Sequence, residues 1–165
     1  NDWMDVSYFG SFDPFQNGHL DIVKRASKIF DEVHVVIAFN INKGRRYNPI
    51  GIRKAIEQVL KDNHLDNCKA TICDSLAIRY CESNDISYMI RGLRNNIDYN
   101  YEENIAKVNY TINPDVETIY FRTSDEAISS STVYEFYKYK EDVSGFIPDA
   151  VLSYMKEVDE RYEDS

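Results

Sequence analysis

The chain has 165 residues with 19 Lys+Arg against 28 Asp+Glu, a formal net charge of −9 at pH 7. That length suits one domain with a real hydrophobic core, and 43% hydrophobic and 13% aromatic residues exclude a disordered or fibrous chain. The acidic balance excludes a sequence-independent nucleic-acid binder, no apolar run reaches the ~18 residues of a membrane span, and the N-terminus lacks an export signal, so a cytoplasmic protein is expected.

In chain order, Met4 to Phe9 reads as a short strand running into Gly10, and a loop from Ser11 to Asn17 precedes a helix from about Gly18 to Phe30. Ile22, Val23, Ala26, Ile29 and Phe30 supply the helical spacing of that segment. Val33 to Phe39 is a nearly continuous apolar run, which suits a parallel strand covered on both faces. A polar loop from Asn40 to Gly51 leads to a helix near Ile52 to Lys61, a strand near Ala70 to Cys73 and a helix near Leu76 to Glu82. A strand over Ile86 to Ile90 and a long helix from about Asp98 to Ile112 follow, the latter stopped with the help of Pro114. Strand Glu117 to Phe121 and closing helices, from about residue 129 onward, complete a single domain over residues 1–165.

This alternation predicts an α/β fold with a five-stranded parallel sheet and helices on both faces. In the strand order 3-2-1-4-5 the order reverses between the first and fourth strands, and ligands bind such sheets beyond the carboxyl ends at the reversal. The loops after Phe9 and after Ile90 are therefore expected to face each other. Cys68, Cys73 and Cys81 form no C-x-x-C pair and read as ordinary part-buried thiols. His34 and His64 match no motif, the end of the chain from Glu157 reads as a solvated helix terminus, and no ligand set for a resident metal is evident.

The first of those loops is Gly10-Ser11-Phe12-Asp13-Pro14-Phe15-Gln16-Asn17-Gly18-His19. Gly10 lets the backbone come close to a ligand and Ser11 supplies a hydroxyl. Asn17 and Gly18 are suited to open a helix whose free N–H groups attract an anion, with His19 in the first turn as a donor. Alone, that histidine says little. The whole string resembles the T/H-x-G-H signature of the nucleotidyltransferase superfamily and, as G-S-F-D-P-x-x-N-G-H, that of the bacterial phosphopantetheine adenylyltransferase family.

The second loop carries Arg91-Gly92-Leu93-Arg94 and then Asp98-Tyr99-Asn100-Tyr101-Glu102. Two arginines can direct guanidinium forks at phosphate oxygens while glycine permits a tight turn. Seen alone they read as surface charges; R-G-L-R followed by D-Y-x-Y-E is similar to the same family and separates it from its relatives. Lys43-Gly44-Arg45-Arg46 is a cation cluster after the second strand, of which Lys43 aligns with the family's phosphate-contacting lysine. Ser129-Ser130-Ser131 after Ile128 resembles the family's I-S-S-S segment at a helix start.

The resemblance runs from about Tyr8 to Met155 and implies a Rossmann-like nucleotidyltransferase fold. It implies transfer of AMP from ATP to 4′-phosphopantetheine, giving dephospho-coenzyme A and pyrophosphate. The catalytic residues it implies are His19, Lys43 and Arg91. For ATP it implies Gly10, Ser11, Phe12, Gly18, His19, Arg91, Gly92, Arg94, Glu102 (toward the ribose or the arginines), Ser129, Ser130 and Ser131. For the acceptor it implies Ser11, Lys43, Leu76, Ala77, Arg91 and Asn109. Mg²⁺ carried on the ATP phosphates, coenzyme A as a feedback ligand and a homohexamer come with the resemblance as well. Departures from the pattern are Phe9 for proline, Ser11 for threonine, a loop near 42–53 longer by one residue and a shortened segment at 123–128. The rival readings are a nicotinamide mononucleotide adenylyltransferase or cytidylyltransferase, and a noncatalytic nucleotide-binding protein of the same fold.

Overall fold

A computed structural model describes residues 3–94, 96–124 and 128–163, with the backbone alone for 96–102 and 162–163. Strands β1 (Asp5–Gly10), β2 (Glu32–Ala38), β3 (Cys68–Cys73), β4 (Tyr88–Leu93) and β5 (Glu117–Arg122) alternate with helices α1 (Asn17–Ile29), α2 (Pro49–Asp62), α3 (Ala77–Ser83) and α4 (Asn96–Ile112). Helices α5 (Ser130–Lys138) and α6 (Asp149–Glu163) close the chain. The sheet has the expected order β3-β2-β1-β4-β5, and every pairing is parallel. Among the described residues no helix is long and apolar enough to cross a membrane.

Alternation along the strands sends side chains to two unequal cores. Val6, Tyr8, Val33, Val35, Ile37 and Ile90 join the large cluster with α1, α2, α5 and α6. Phe9, Val36, Cys73 and Met89 point the other way, onto Ile78 and Cys81 of α3. Helices thus cover both faces, and the strands between them read as apolar runs for that reason. The cysteines are free thiols; burial pushes Cys81 up to about 11 and Cys68 up to about 12, which keeps both protonated and inert.

Two boundaries differ from the sequence reading in ways that matter for the site. Strand β4 begins two residues later than expected and runs on through Arg91, Gly92 and Leu93, because β5 continues to pair with it at Arg91↔Tyr120, Gly92↔Phe121 and Leu93↔Arg122. Arg91 therefore stands on a strand, held by a ladder, rather than in a loop. On its other side β4 follows β1 only as far as Tyr8↔Ile90, whereas β1 stays with β2 through Gly10↔Ile37. The sheet splits between β1 and β4 at its carboxyl edge.

Gly92 occupies the split. A Cβ there would lie 2.9 Å from Ile22 Cδ1 and 3.2 Å from Thr123 Cγ2, and Ile22 is itself buried in the core under α1. Gly92→Ala is expected to destabilise the fold by about 1–3 kcal/mol through overpacking. Denaturant unfolding should show that loss, and Ile22→Val in the same chain should recover part of it.

Candidate active site

Two clefts open at the carboxyl edge. The first, of ≈ 350 Å³, lies over the split and is lined by Gly10, Ser11, Phe12, Gly18, His19, Arg91, Gly92, Arg94, Ser129 and Ser130 among others. The second, of ≈ 940 Å³, lies beyond the ends of β2 and β3 and includes Ser11, Asp13, Lys43, Arg45, Arg46, Asp74 and Leu76. Ser11 borders both. Most of the residues expected from sequence thus converge, and the His19 imidazole and Arg91 guanidinium share one cleft.

The loop between β1 and α1 is built on aromatic packing. Phe12 has φ 48, a conformation that costs a bulky residue about 1–3 kcal/mol. Its ring is buried in edge contacts with Tyr8 at 5.3 Å, Phe15 at 5.3 Å and His19 at 4.9 Å, each worth about 0.5–1.5 kcal/mol beyond burial, enough to offset the strain. Gly10 is required beneath it, since a Cβ would come within 2.7 Å of that ring. Phe12 therefore floors the cleft, and what it offers a ligand is backbone.

His19 is held on three sides by Phe12, Phe15 and Tyr8. Its Nδ1 accepts the Gln16 N–H at 3.1 Å, which fixes the tautomer with hydrogen on Nε2. Burial first, and the charge of Arg94 second, push its pKa down to about 4, so the ring is a neutral donor at neutral pH. The start of α1 is not the free anion nest that Asn17 and Gly18 suggest. Gln16 is the cap: its side chain accepts from Gly18 N at 2.6 Å, its carbonyl accepts from His19 N and Leu20 N, and Asn17 N donates to Phe146 O. The first-turn amides are spent within the chain, which leaves His19 itself as the group the helix presents.

The same loop ties the other segments to itself. Gln16 Nε2 donates to Ile128 O at 2.8 Å, and Ser130 Oγ donates to Pro14 O at 2.9 Å, which fixes the start of α5. Arg91 Nη1 donates to Phe9 O at 3.3 Å. Asp13 is buried, and its carboxylate accepts from Arg46 N at 2.7 Å and Tyr47 N at 2.9 Å, with Arg45 Nη2 at 3.7 Å. Asp13 thereby anchors the loop that carries Lys43. Asp13, Phe15 and Gln16 are residues for which the sequence offered no role, although all three lie inside the string.

The remaining expectations divide. Lys43 is exposed on the second cleft, and Leu76 lies across from it with its side chain largely in solvent. Arg45 is half-buried with Nε donating to Tyr47 O at 2.6 Å, and Arg46 stacks over Tyr134 at 4.8 Å, so both brace the loop. Ser129 caps α5, accepting from Thr132 N, while Ser131 stands off the lining and accepts from Arg46 Nη2 at 3.0 Å. Ala77 packs into the smaller core and Asn109 sits in the last turns of α4; neither borders the two clefts. The side chain of Glu102, on α4, lies outside the described residues.

A family model described as cytidylyltransferase-like matches residues 7–136. Phosphopantetheine adenylyltransferases of Streptococcus pyogenes serotype M5 (strain Manfredo) and serotype M1 are each 39% identical over 157 residues, covering 93% of this chain and 95% of theirs. The chain belongs to the phosphopantetheine adenylyltransferase family. Residues 7–136 take in β2 to β5, most of β1 and the residues bordering both clefts, so the family match and the geometry concern the same part of the molecule.

The depressed pKa of His19 has a thermodynamic sign. Between the ordinary value near 6.5 and about 4 the unfolded chain takes up a proton that the folded chain refuses, so stability falls as pH falls through that window. NMR titration should find the His19 ring neutral down to about pH 5. His19→Asn should flatten the loss of stability between pH 6.5 and 4; a wild-type midpoint near 6.5 would contradict the caged ring.

Proposed function

We propose that the protein transfers AMP from ATP to 4′-phosphopantetheine, releasing pyrophosphate and forming dephospho-coenzyme A, the reaction named for the curated relatives. The observation that carries this reading is the pair of adjoining clefts that meet at Ser11, one lined by Arg91, Arg94 and His19, the other by Lys43. Two phosphorylated molecules repel each other, and a site for joining them must bring cations and neutral donors to the seam.

The reaction needs no covalent enzyme intermediate. A phosphate oxygen of the acceptor attacks the α-phosphorus of ATP in line, the bond to the bridging oxygen breaks, and pyrophosphate leaves with the electron pair. His19 Nε2–H donates to the α-phosphate oxygens as charge builds there, and because the ring is neutral it is not drawn into an ion pair with the ground-state triphosphate. Ser11 orients the attacking phosphate at the seam, and Lys43 reaches it from the second cleft. Arg91, Arg94, Ser129 and Ser130 hold the β- and γ-phosphates, with Gly10, Gly18 and Gly92 allowing close approach. Leu76 lies along the acceptor's arm.

Mg²⁺ fits this site as an ion carried by the nucleotide. Of the carboxylates on the two linings, Asp13 is already saturated by Arg46 N, Tyr47 N and Arg45, and Asp74 stands alone. That donor set suits a partly hydrated ion on ATP oxygens rather than a protein cage. When bound, Mg²⁺ would neutralise phosphate charge. Residence in the cytoplasm, a homohexameric assembly and restraint by coenzyme A belong to this same reading.

Pyrophosphate release from ATP, Mg²⁺ and phosphopantetheine tests the assignment; release with nicotinamide mononucleotide and none with phosphopantetheine would overturn it. His19→Ala is expected to lower kcat by about 10²–10³-fold with little change in KM for ATP, as loss of a transition-state donor does. Lys43→Ala should raise KM for the acceptor and lower kcat together. Asp13→Asn should shift the same two parameters more weakly, because it loosens the loop and leaves Lys43 itself intact.

A further inference from the structure

At the opposite edge of the sheet, far from both clefts, Asp5, Glu32 and His34 bring their ligand atoms within 4.8 Å of one another. Their convergence follows from register. Asp5 pairs with Glu32 across β1 and β2, and Glu32 and His34 are two apart on β2, so all three project from one face. His34 Nε2 lies 3.4 Å from Glu32 Oε1 and 3.6 Å from Asp5 Oδ2. The His34 side chain is only 4% exposed, and its Nε2 is buried with no hydrogen-bond partner. A buried nitrogen that faces two carboxylates at 3.4 and 3.6 Å, too long for a well-formed hydrogen bond to either, calls for an explanation.

We propose that Asp5, Glu32 and His34 form a binding site for a divalent transition-metal cation of the zinc class. Bonds of about 2.0–2.1 Å in a tetrahedral site put ligand atoms about 3.3 Å apart, which the 3.4 and 3.6 Å separations approach. The mixed imidazole and carboxylate donors favour a first-row transition ion over Mg²⁺. The outer contacts match what such a site requires. His34 Nδ1 lies 3.1 Å from the Tyr80 hydroxyl, which in turn lies 3.0 Å from Thr71 Oγ1. The tautomer in which Nδ1–H donates to the Tyr80 hydroxyl turns the Nε2 lone pair toward the carboxylates, and a bound cation would select it. The Trp3 indole N–H donates to Asp5 Oδ1, leaving Oδ2 turned toward His34.

Lys69 is the competitor. Its ammonium lies 2.9 Å from Glu32 Oε1, but the side chain is 50% exposed and can swing into solvent. Asp5 and Glu32 are themselves 19% and 29% exposed, so the cluster is open on one side to admit an ion and the waters that complete its coordination.

Co²⁺ is the probe, because its visible absorption reports tetrahedral coordination. Equilibrium dialysis and spectroscopy on the full chain, without nucleotide, should show one Co²⁺ per chain with a tetrahedral spectrum, displaced by Zn²⁺. His34→Gln should weaken binding by at least about 100-fold, more than the 10–100-fold that follows loss of an outer contact. Glu32→Gln, at a more exposed position, should weaken it as well, so the test survives a His34 variant that fails to fold. Lys69→Met should tighten binding, whereas His64→Gln should not change it. No uptake by the wild type, or uptake undiminished in both the His34 and Glu32 variants, would overturn the proposal.

Discussion

The site depends on one geometric event, the parting of β1 from β4 at the carboxyl edge. Up to Tyr8↔Ile90 the two strands share a ladder; beyond it β1 keeps company with β2 and β4 with β5. Backbone groups released by such a split must find other partners or water. Phe9 O finds the Arg91 guanidinium, which spans the gap at 3.3 Å. The cation that lines the first cleft is thus also part of the closure of the opened sheet, and its position is set by strands on either side rather than by a loop.

Everything else at the rim is tied to the segment between β1 and α1. Asp13 holds the Lys43 loop, Gln16 and Pro14 hold the start of α5, and Phe12 and Phe15 hold His19. This explains why a short string carries so much of the family likeness. Its Gly10, Phe12 and Asp13 positions each answer to a different neighbour, so few substitutions would leave all three contacts intact. It also explains how an acidic chain, at −9, handles anions. Arg91, Arg94 and Lys43 gather where the loops meet, while the imidazole beside them stays uncharged through burial and the charge of Arg94.

Sequence periodicity and apolar runs made the strands, the parallel sheet and both helix layers legible, since parallel strands buried on two faces differ plainly from amphipathic helices; the strand order came with the family resemblance. The recognised strings located the two clefts. What escaped was whatever depends on a partner distant in the chain. The extension of β4 through Arg91 is decided by β5, some thirty residues on, and no local signal announces it. Asn17 and Gly18 looked like helix openers on propensity, yet the amides they offer are taken by Gln16 and Phe146. Ser131 reads like its two neighbours, but one helical position of rotation aims it at Arg46 instead of the cleft. Asp13 was visible without a role because its partners lie more than thirty residues away.

His34 is the sharpest case of that limit, and it bears on the fold as a whole. Along β2 it is one polar residue in an apolar run, with nothing nearby to mark it. Only the register that pairs Asp5 with Glu32 on one side and Lys69 with His34 on the other assembles the cluster. At the amino edge the strands remain in register, so Asp5 of β1 is held 3.6 Å from His34 of β2, with Glu32 of that same strand 3.4 Å away. At the carboxyl edge the strands diverge and the side chains face open volume. One edge is therefore shaped to enclose something the size of an ion, the other to admit molecules. Their charges differ in the same sense: two carboxylates against one lysine at the first, four arginines and a lysine against Asp74 and the saturated Asp13 at the second. A chain at −9 repels a polyanion over the bulk of its surface, and the cations at the carboxyl rim offer it a favourable potential there.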